Sequence, residues 1–151
     1  MQYSEGSVGR IFALKLDEGE RVPDIIEEFA GEHNIPGAVV LFLGGAADKS
    51  RLVVGPEKEV EEKIIPITHV LSGVQEVLAM GTLFHNESGR PVLHMHAAVG
   101  REGEATVGCT RAGVEVWLIG EVIIIELLGL DGLRRKDSRS GFDLLQLPLT
   151  K

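Results

Sequence analysis

The sequence predicts an α+β fold in which a mainly antiparallel β-sheet is flanked by one or two helices. Many short, β-prone apolar runs are separated by turn residues, and a single segment changes to a helical period. Hydrophobic residues make up 44% and charged residues 25% of the 151 positions, a balance typical of a globular protein. Because strands outnumber helices too heavily for a doubly wound fold, we expect one antiparallel domain over residues 1–151.

The first two elements are a strand and a helix. Gly9–Leu16 is a short apolar run typical of a strand. A helical period begins at Arg21, Pro23 suits a first helical turn, and Asn34 with Pro36 closes the helix. Its apolar residues fall on one helical face: Val22, Ile25, Ile26 and Phe29.

The next elements are strands separated by loops. Ala38–Leu43 is a continuous apolar strand that we expect to stop at Gly44–Ala47, interpreted as a tight turn rather than an anion-binding loop. Arg51–Val54 is a short strand, Glu57–Lys63 is a charged, solvated loop, and Ile64–Leu71 resumes the β pattern.

A pair of turns surrounds the strand that attracts most interest. Val74–Phe84 is a strand, and His85–Arg90 has the turn chemistry of a hairpin loop. Pro91–Val99 is therefore the returning strand, and Arg101–Glu104 predicts a second tight turn. Ala105–Arg111 is ambiguous from its sequence.

The C-terminal third begins with a β-rich segment. Val114–Ile119 and Glu121–Leu128 flank Gly120, which predicts a bend or bulge. Asp131–Ser140 is polar and basic, and we interpret it as a solvated loop. Phe142–Leu149 alternates weakly and is expected to form a last edge strand.

His94 and His96 are the most informative residues of the chain. Residues i and i+2 of a strand point to the same face, so the two imidazoles stand side by side. Cys109 lies on the chain that returns after a short turn, and imidazole with thiolate suits zinc. The alternative is a polar histidine pair on a protein–protein face, with Cys109 a small buried apolar residue. The spacing leaves both interpretations open.

Charge and composition exclude several function classes. With 23 acidic and 15 basic residues the net charge is -8, which disfavours binding to a phosphate backbone. A single cysteine allows no internal disulfide, and the start shows no secretory segment, so we expect a cytoplasmic protein. The longest apolar run, Val114–Leu130, is too charged to span a bilayer, and we expect no membrane role.

A few polar residues remain as weaker candidates. The one dense basic cluster is a weak candidate for nucleic-acid binding, although a charged loop that protects a sheet edge is favoured. His69 and His85 are isolated, and solvent-exposed structural roles are favoured for both. Glu115 and Glu121 are candidates for contacts to a metal-bound histidine or, equally, outward-facing polar residues. The basic cluster consists of Arg134, Arg135, Lys136 and Arg139.

Several segments together resemble the PPC domain family, the plant-and-prokaryote conserved domain also found in AT-hook nuclear proteins. The matching pieces run in order through nearly the whole chain: GRIFALKLDEGE, EEFAGEHNI, VVLFLGGAADKSRLVVGP, GTLFHNESGRPVLHMHAAVG, GVEVWLIGEVIIIEL and GFDLL. The resemblance implies a stand-alone prokaryotic-type member with a compact antiparallel sheet, assembled as a homotrimer. It also implies that the Gly44–Ala47 segment is characteristic, with a role in close packing at a subunit contact.

The chain departs from the family pattern at two places. An AT-hook needs Arg-Gly-Arg-Pro, and Ser88–Pro91 lacks the first arginine, so minor-groove binding through a hook does not transfer. Many prokaryotic relatives carry a third histidine after the His-x-His strand, and this chain has Cys109 in the corresponding segment.

Three functions follow as hypotheses. The first is a homotrimeric, non-enzymatic binding or regulatory domain, DNA-associated by resemblance and with a zinc site at His94, His96 and Cys109. The second is a metal-dependent enzyme acting on a small molecule through an open metal position. The third is a protein-interaction module that binds no metal.

Overall fold

A computed structural model of the chain describes residues 1–58 and 64–148. The predicted loop at Glu57–Lys63 and the predicted strand at Phe142–Leu149 extend in part outside these described residues. No helix within them is long and apolar enough to cross a membrane. The elements are β1 (Ser7–Asp17), β2 (Arg21–Val22), α1 (Asp24–Glu32), β3 (Gly37–Ala46), β4 (Arg51–Pro56), β5 (Pro66–Val70), β6 (Gln75–His85), β7 (Pro91–Arg101), β8 (Glu104–Cys109), a short 3₁₀ helix (Thr110–Ala112), β9 (Val114–Leu128), β10 (Leu133–Lys136) and β11 (Asp143–Gln146).

The main sheet has the strand order β1-β9-β3-β6-β7-β8-β4-β5, and β2 adds to β9. Every one of these neighbouring pairs is antiparallel. The prediction of an α+β fold with a mainly antiparallel sheet and one flanking helix is therefore confirmed.

The two faces of the sheet differ in what covers them. On one face, α1 inserts Ile26 and Ala30 into a core that includes Phe42 and Met95. The opposite face is called the open face here, because large apolar side chains on several strands remain exposed on it. Cross-strand pairing places these residues on one surface: Ile11, Leu43, Leu78, Met80, Val107 and Ile123.

Both predicted turns are confirmed. Between β6 and β7, the Asn86 side-chain oxygen accepts hydrogen bonds from the backbone N–H groups of Ser88 and Arg90. Between β7 and β8, Glu102 and Gly103 both have positive φ angles of 55° and 88°. That is the conformation that two-residue hairpins require.

The predicted helix begins three residues later than its apolar pattern indicated. Arg21 and Val22 pair with β9 as a two-residue strand, so α1 begins at Asp24. Val22 is fully buried in this bridge. Val22 is therefore a buried strand residue and does not belong to the apolar face of the helix.

The prediction of a tight turn at Gly44–Ala47 is wrong. β3 continues through Gly44 and Gly45 to Ala46, and its register against β9 shifts between the two glycines. Gly44 faces Gly120 across the shift, so the predicted irregularity at Gly120 is a bulge between two paired strands. Glycine is needed because a Cβ on Gly44 would overlap the Ile119 carbonyl oxygen.

The tail is also more ordered than a solvated loop. Leu133–Lys136 and Asp143–Gln146 form the two-stranded β10–β11 sheet, separate from the main one. Arg134, on β10, is 2% exposed and donates from Nη2 to the carbonyl and hydroxyl oxygens of Thr82 at 2.9 Å each. The tail is thereby attached to β6.

Candidate metal centre

His94, His96 and Cys109 bring their ligand atoms together on the open face. One ligand atom from each lies within 4.8 Å of the others, and the two Nε2 atoms are 3.2 Å apart. His94 is half-buried, His96 is exposed, and the Cys109 residue is 4% exposed.

The strand register explains why these residues meet. His94 and His96 alternate with the core residues Leu93, Met95 and Ala97 along β7, so both imidazoles leave the sheet on the open face. Cys109, the last residue of β8, is directly opposite His96. Directly paired residues share a face and lie close together, so the thiol lies beside the imidazoles.

The donor set fits zinc in both chemistry and spacing. Two nitrogens bound to one tetrahedral zinc at about 2.0–2.1 Å lie about 3.3 Å apart, close to the 3.2 Å between the two Nε2 atoms. Three protein ligands leave a fourth position for water or a ligand group. The residues present therefore can hold a zinc ion.

The surroundings favour neutral imidazoles, the form that binds metal. Burial lowers the pKa of His94, and the cations of Arg134 and Arg111 lower it further. Partial burial also lowers the pKa of His96, with added contributions from His94 and Arg111. Both shifts extend the pH range in which the imidazoles are unprotonated.

Arg111 is a neighbour of the trio that the sequence did not single out. Its Nε donates to Cys109 Sγ at 3.1 Å, and its guanidinium carbon lies 3.9 Å from the centre of the Phe142 ring. The 3₁₀ helix after β8 turns the chain at this point, and Thr110 donates to the Met95 carbonyl oxygen. The only sequence signal for Arg111 was its position two residues after the cysteine.

A cleft of about 340 Å³ lies at the edge of the trio and is lined in part by His94, Cys109 and Arg111. It forms where the pairing of β8 with β7 ends at His96. Among residues 1–58 and 64–148, no strand pairs with the first half of β7 on that side. Glu27 of α1 occupies part of the gap, since its Oε1 accepts the Leu93 N–H at 2.9 Å. Burial raises the pKa of the Glu27 carboxyl.

The other polar candidates lie elsewhere. Glu115 and Glu121 are exposed on β9, which is separated from β7 by β3 and β6. Of the two interpretations left open, outward-facing polar residues therefore fits and contact with the histidines does not. His69 is exposed on β5 and lines a different cavity. His85 ends β6, and its Nε2 is buried without a hydrogen-bond partner among the described residues.

The basic cluster is divided between buried and exposed positions. Arg134 is buried against Thr82, whereas Arg135, Lys136 and Arg139 are exposed. Arg135 forms an ion pair with Glu87 at 3.2 Å. The nucleic-acid role of this cluster stays a prediction.

Fold and site together define a class: an antiparallel α+β domain with a His/His/Cys trio on one sheet face. The model of the Plants and Prokaryotes Conserved (PCC) domain, the PPC domain named above, matches residues 3–128. The chain belongs to this family, and the resemblance noted in its sequence is confirmed.

Solved structures extend the comparison. A metal-containing protein from Archaeoglobus fulgidus is 26% identical, with a TM-score of 0.81 and coverage of 97% of this chain and 99% of that one. A PPC protein from Pyrococcus horikoshii is 25% identical, with a TM-score of 0.76 and coverage of 97% and 100%. A candidate DNA-binding protein from Ralstonia eutropha is 21% identical, with a TM-score of 0.67 and 90% coverage of each chain, a likeness that shows the fold alone. A search of the curated proteins found no match.

Proposed function

We propose that this protein is a cytoplasmic, homotrimeric binding or regulatory domain of the PPC type that holds zinc at His94, His96 and Cys109. The observation that carries the metal assignment is the meeting of three zinc-type donors within 4.8 Å, with the two imidazole nitrogens at a tetrahedral spacing. The similar protein from Archaeoglobus fulgidus is named as metal-containing, which supports the assignment.

Elemental analysis of the purified protein tests the metal site. We expect about one zinc per chain in the wild type and loss of stoichiometric zinc in His94→Ala, His96→Ala and Cys109→Ala. Cys109→His should retain zinc, because a histidine is an equivalent donor. His69→Ala is the control, since that histidine lies on β5 in another cavity. Unchanged zinc in both His94→Ala and His96→Ala would contradict the proposal.

The proposed homotrimer is supported by the open face. Leu78 is 69% and Met80 63% exposed, and neighbouring strands add further apolar side chains to the same surface. Contiguous exposed apolar surface of this kind marks interaction sites. A second copy of the chain would cover it.

A metal-dependent enzyme acting on a small molecule is the second candidate function. Glu27 favours it, because this half-buried carboxylate with a raised pKa lines the same cleft as His94 and Cys109. Bound zinc supplies Lewis acidity and lowers the pKa of a bound water. Glu27 is then the residue placed to accept a proton in the cleft.

DNA association is the weakest part of the family expectation. The net charge of -8 disfavours contact with a phosphate backbone. The Arg134 guanidinium donates to Thr82, so this arginine is buried within the protein and does not face solvent. We therefore expect no shift of duplex DNA by micromolar protein in a gel-shift titration at low salt, the condition that most favours phosphate contacts. A salt-sensitive shift that Arg139→Gln weakens would reverse this expectation.

A further inference from the structure

We propose that the cleft beside the metal-binding trio is a binding site for a small-molecule carboxylate, held by the Arg111 guanidinium. This inference rests on the proposed metal site and adds to it the chemical class of ligand.

The first observation is that Arg111 is held in place by two contacts while two of its nitrogens make no hydrogen bond within the described residues. Its Nε donates to Cys109 Sγ, and its guanidinium carbon lies over the Phe142 ring. In the part of the chain that the structure describes, Nη1 and Nη2 of Arg111 make no hydrogen bond. A guanidinium edge with two parallel N–H donors matches a carboxylate, and stacking removes much of the entropy cost of ordering it.

The second observation is the charge around the trio. A divalent ion bound by two neutral imidazoles and one thiolate keeps one uncompensated positive charge. Arg111 lies against the thiol, and Arg134 lies within electrostatic range of Cys109. An anion is therefore the ligand that this arrangement attracts.

The carboxylates of the cleft do not neutralise the free edge of Arg111. Asp24 forms an ion pair with Arg21, and Glu27 accepts the Leu93 amide. Asp143 interacts with Arg134. The negative charges of these acids repel a dianion such as a phosphate monoester more strongly than a monoanion. A singly charged carboxylate is therefore the better match.

The third observation is the shape and lining of the cleft. Its volume of about 340 Å³ is at the lower end of the range for small-molecule sites. Phe142, Leu144 and Val92 give it apolar walls, while His94, Cys109 and Arg111 form its polar end. A carboxylate on a small apolar body matches both parts.

Calorimetric titration of the zinc-loaded 151-residue chain with benzoate tests the proposal. We expect benzoate to bind, and benzamide, its neutral analogue of similar shape, to bind at least about tenfold more weakly. Arg111→Gln should weaken benzoate binding about tenfold or more, and Arg111→Lys should give an intermediate loss because it keeps the charge but not the fork. Arg101→Gln, at the opposite end of β7, removes an equal charge and should leave benzoate affinity unchanged.

A second readout reports on the surroundings of the metal instead of on binding heat. In protein loaded with cobalt(II) in place of zinc, benzoate should change the visible absorption bands of the wild type and leave those of Arg111→Gln nearly unchanged at the same concentration. Thermal unfolding of each variant shows whether it remains folded.

The outcomes separate this inference from the proposed function. Stoichiometric zinc with equal benzoate affinity in the wild type and Arg111→Gln, or with tighter binding of benzamide or phenyl phosphate, overturns the carboxylate site and leaves the metal site intact. Absence of zinc from the wild type is a failure of the proposed metal site, recorded by elemental analysis before any titration.

Discussion

At the scale of single residues, the chemistry of the chain depends on polar groups held at positions where strand pairing is interrupted. Cys109 lies at the end of β8, and Glu27 caps a β7 amide that β8 leaves free. Glu126 has the same kind of role on β9. Its Oε2 accepts the backbone N–H of Arg10 at 2.8 Å, where the β1–β9 register shifts between Val8 and Ile11.

Glu126 makes a testable contribution to acid stability. The Arg10 side chain and amide hold the pKa of the Glu126 carboxyl down to about 2, well below its ordinary value of 4.5. Because the folded-state pKa is depressed, the stabilisation is fully present above pH 4.5 and is lost as the pH falls toward about 2. Glu126→Gln should therefore unfold more easily than the wild type at pH 7, and the difference should shrink between pH 4.5 and 2.

Urea unfolding at several pH values measures this difference. Glu121→Gln is the matched control on the same strand, because its carboxylate makes no hydrogen bond or ion pair with any described residue. A constant difference between wild type and Glu126→Gln from pH 7 to pH 2 would contradict the assignment.

At the scale of elements, the close approach of β3 and β9 depends on glycine. Gly44 has a φ angle of 149°, and the Ile119 carbonyl occupies the space where a Cβ would lie. Its neighbour across the strands is Gly120. The paired glycines permit the bulge that keeps both long strands in the sheet.

Substitution of Gly44 separates close packing from backbone strain. Gly44→Ala should lower the free energy of unfolding by at least about 2 kcal/mol, because strain adds to the steric overlap. Gly19→Ala is the comparison: Gly19 also has positive φ, 89°, but no atom of the described residues lies within 4 Å of its added Cβ. It should cost only about 1 kcal/mol. Equal losses in chemical unfolding of the two variants would show that packing at Gly44 is unimportant.

At the scale of the whole molecule, the main sheet is covered unequally. One face packs on α1 and holds the core, whereas the open face exposes large apolar residues beside the trio. An antiparallel sheet in water usually has a polar outer face. The apolar residues at these outward positions are the observation on which the proposed homotrimer rests.

Assembly through the open face is tested at Leu78. Leu78→Glu introduces a charge at the centre of this surface and should shift the protein from trimer to monomer in light scattering, since burying an unpaired charge is unfavourable. Leu78→Met keeps the surface apolar and should remain trimeric. A monomeric wild type, or a trimer that Leu78→Glu leaves intact, would contradict the proposed assembly.

The sequence by itself determined the fold class, the two hairpin turns and the facing pair of histidines. These features depend on local chemistry: an alternating pattern places His94 and His96 on one side of a strand, and turn residues place β8 beside β7. The resemblance to the PPC family added the position of a third donor, at Cys109.

Only the tertiary structure decided what surrounds those donors. Arg134 reaches the site from a tail hairpin and Glu27 from a helix, and both contacts join segments far apart in sequence. Arg111 is close to Cys109 in sequence, but the 3₁₀ turn that directs its side chain onto the thiol is not specified by a local pattern. The Gly44–Gly45 segment looked like a turn because glycine permits both tight turns and close strand approach. The choice between these depended on β9, a partner strand about 70 residues further along the chain, which no local pattern specifies.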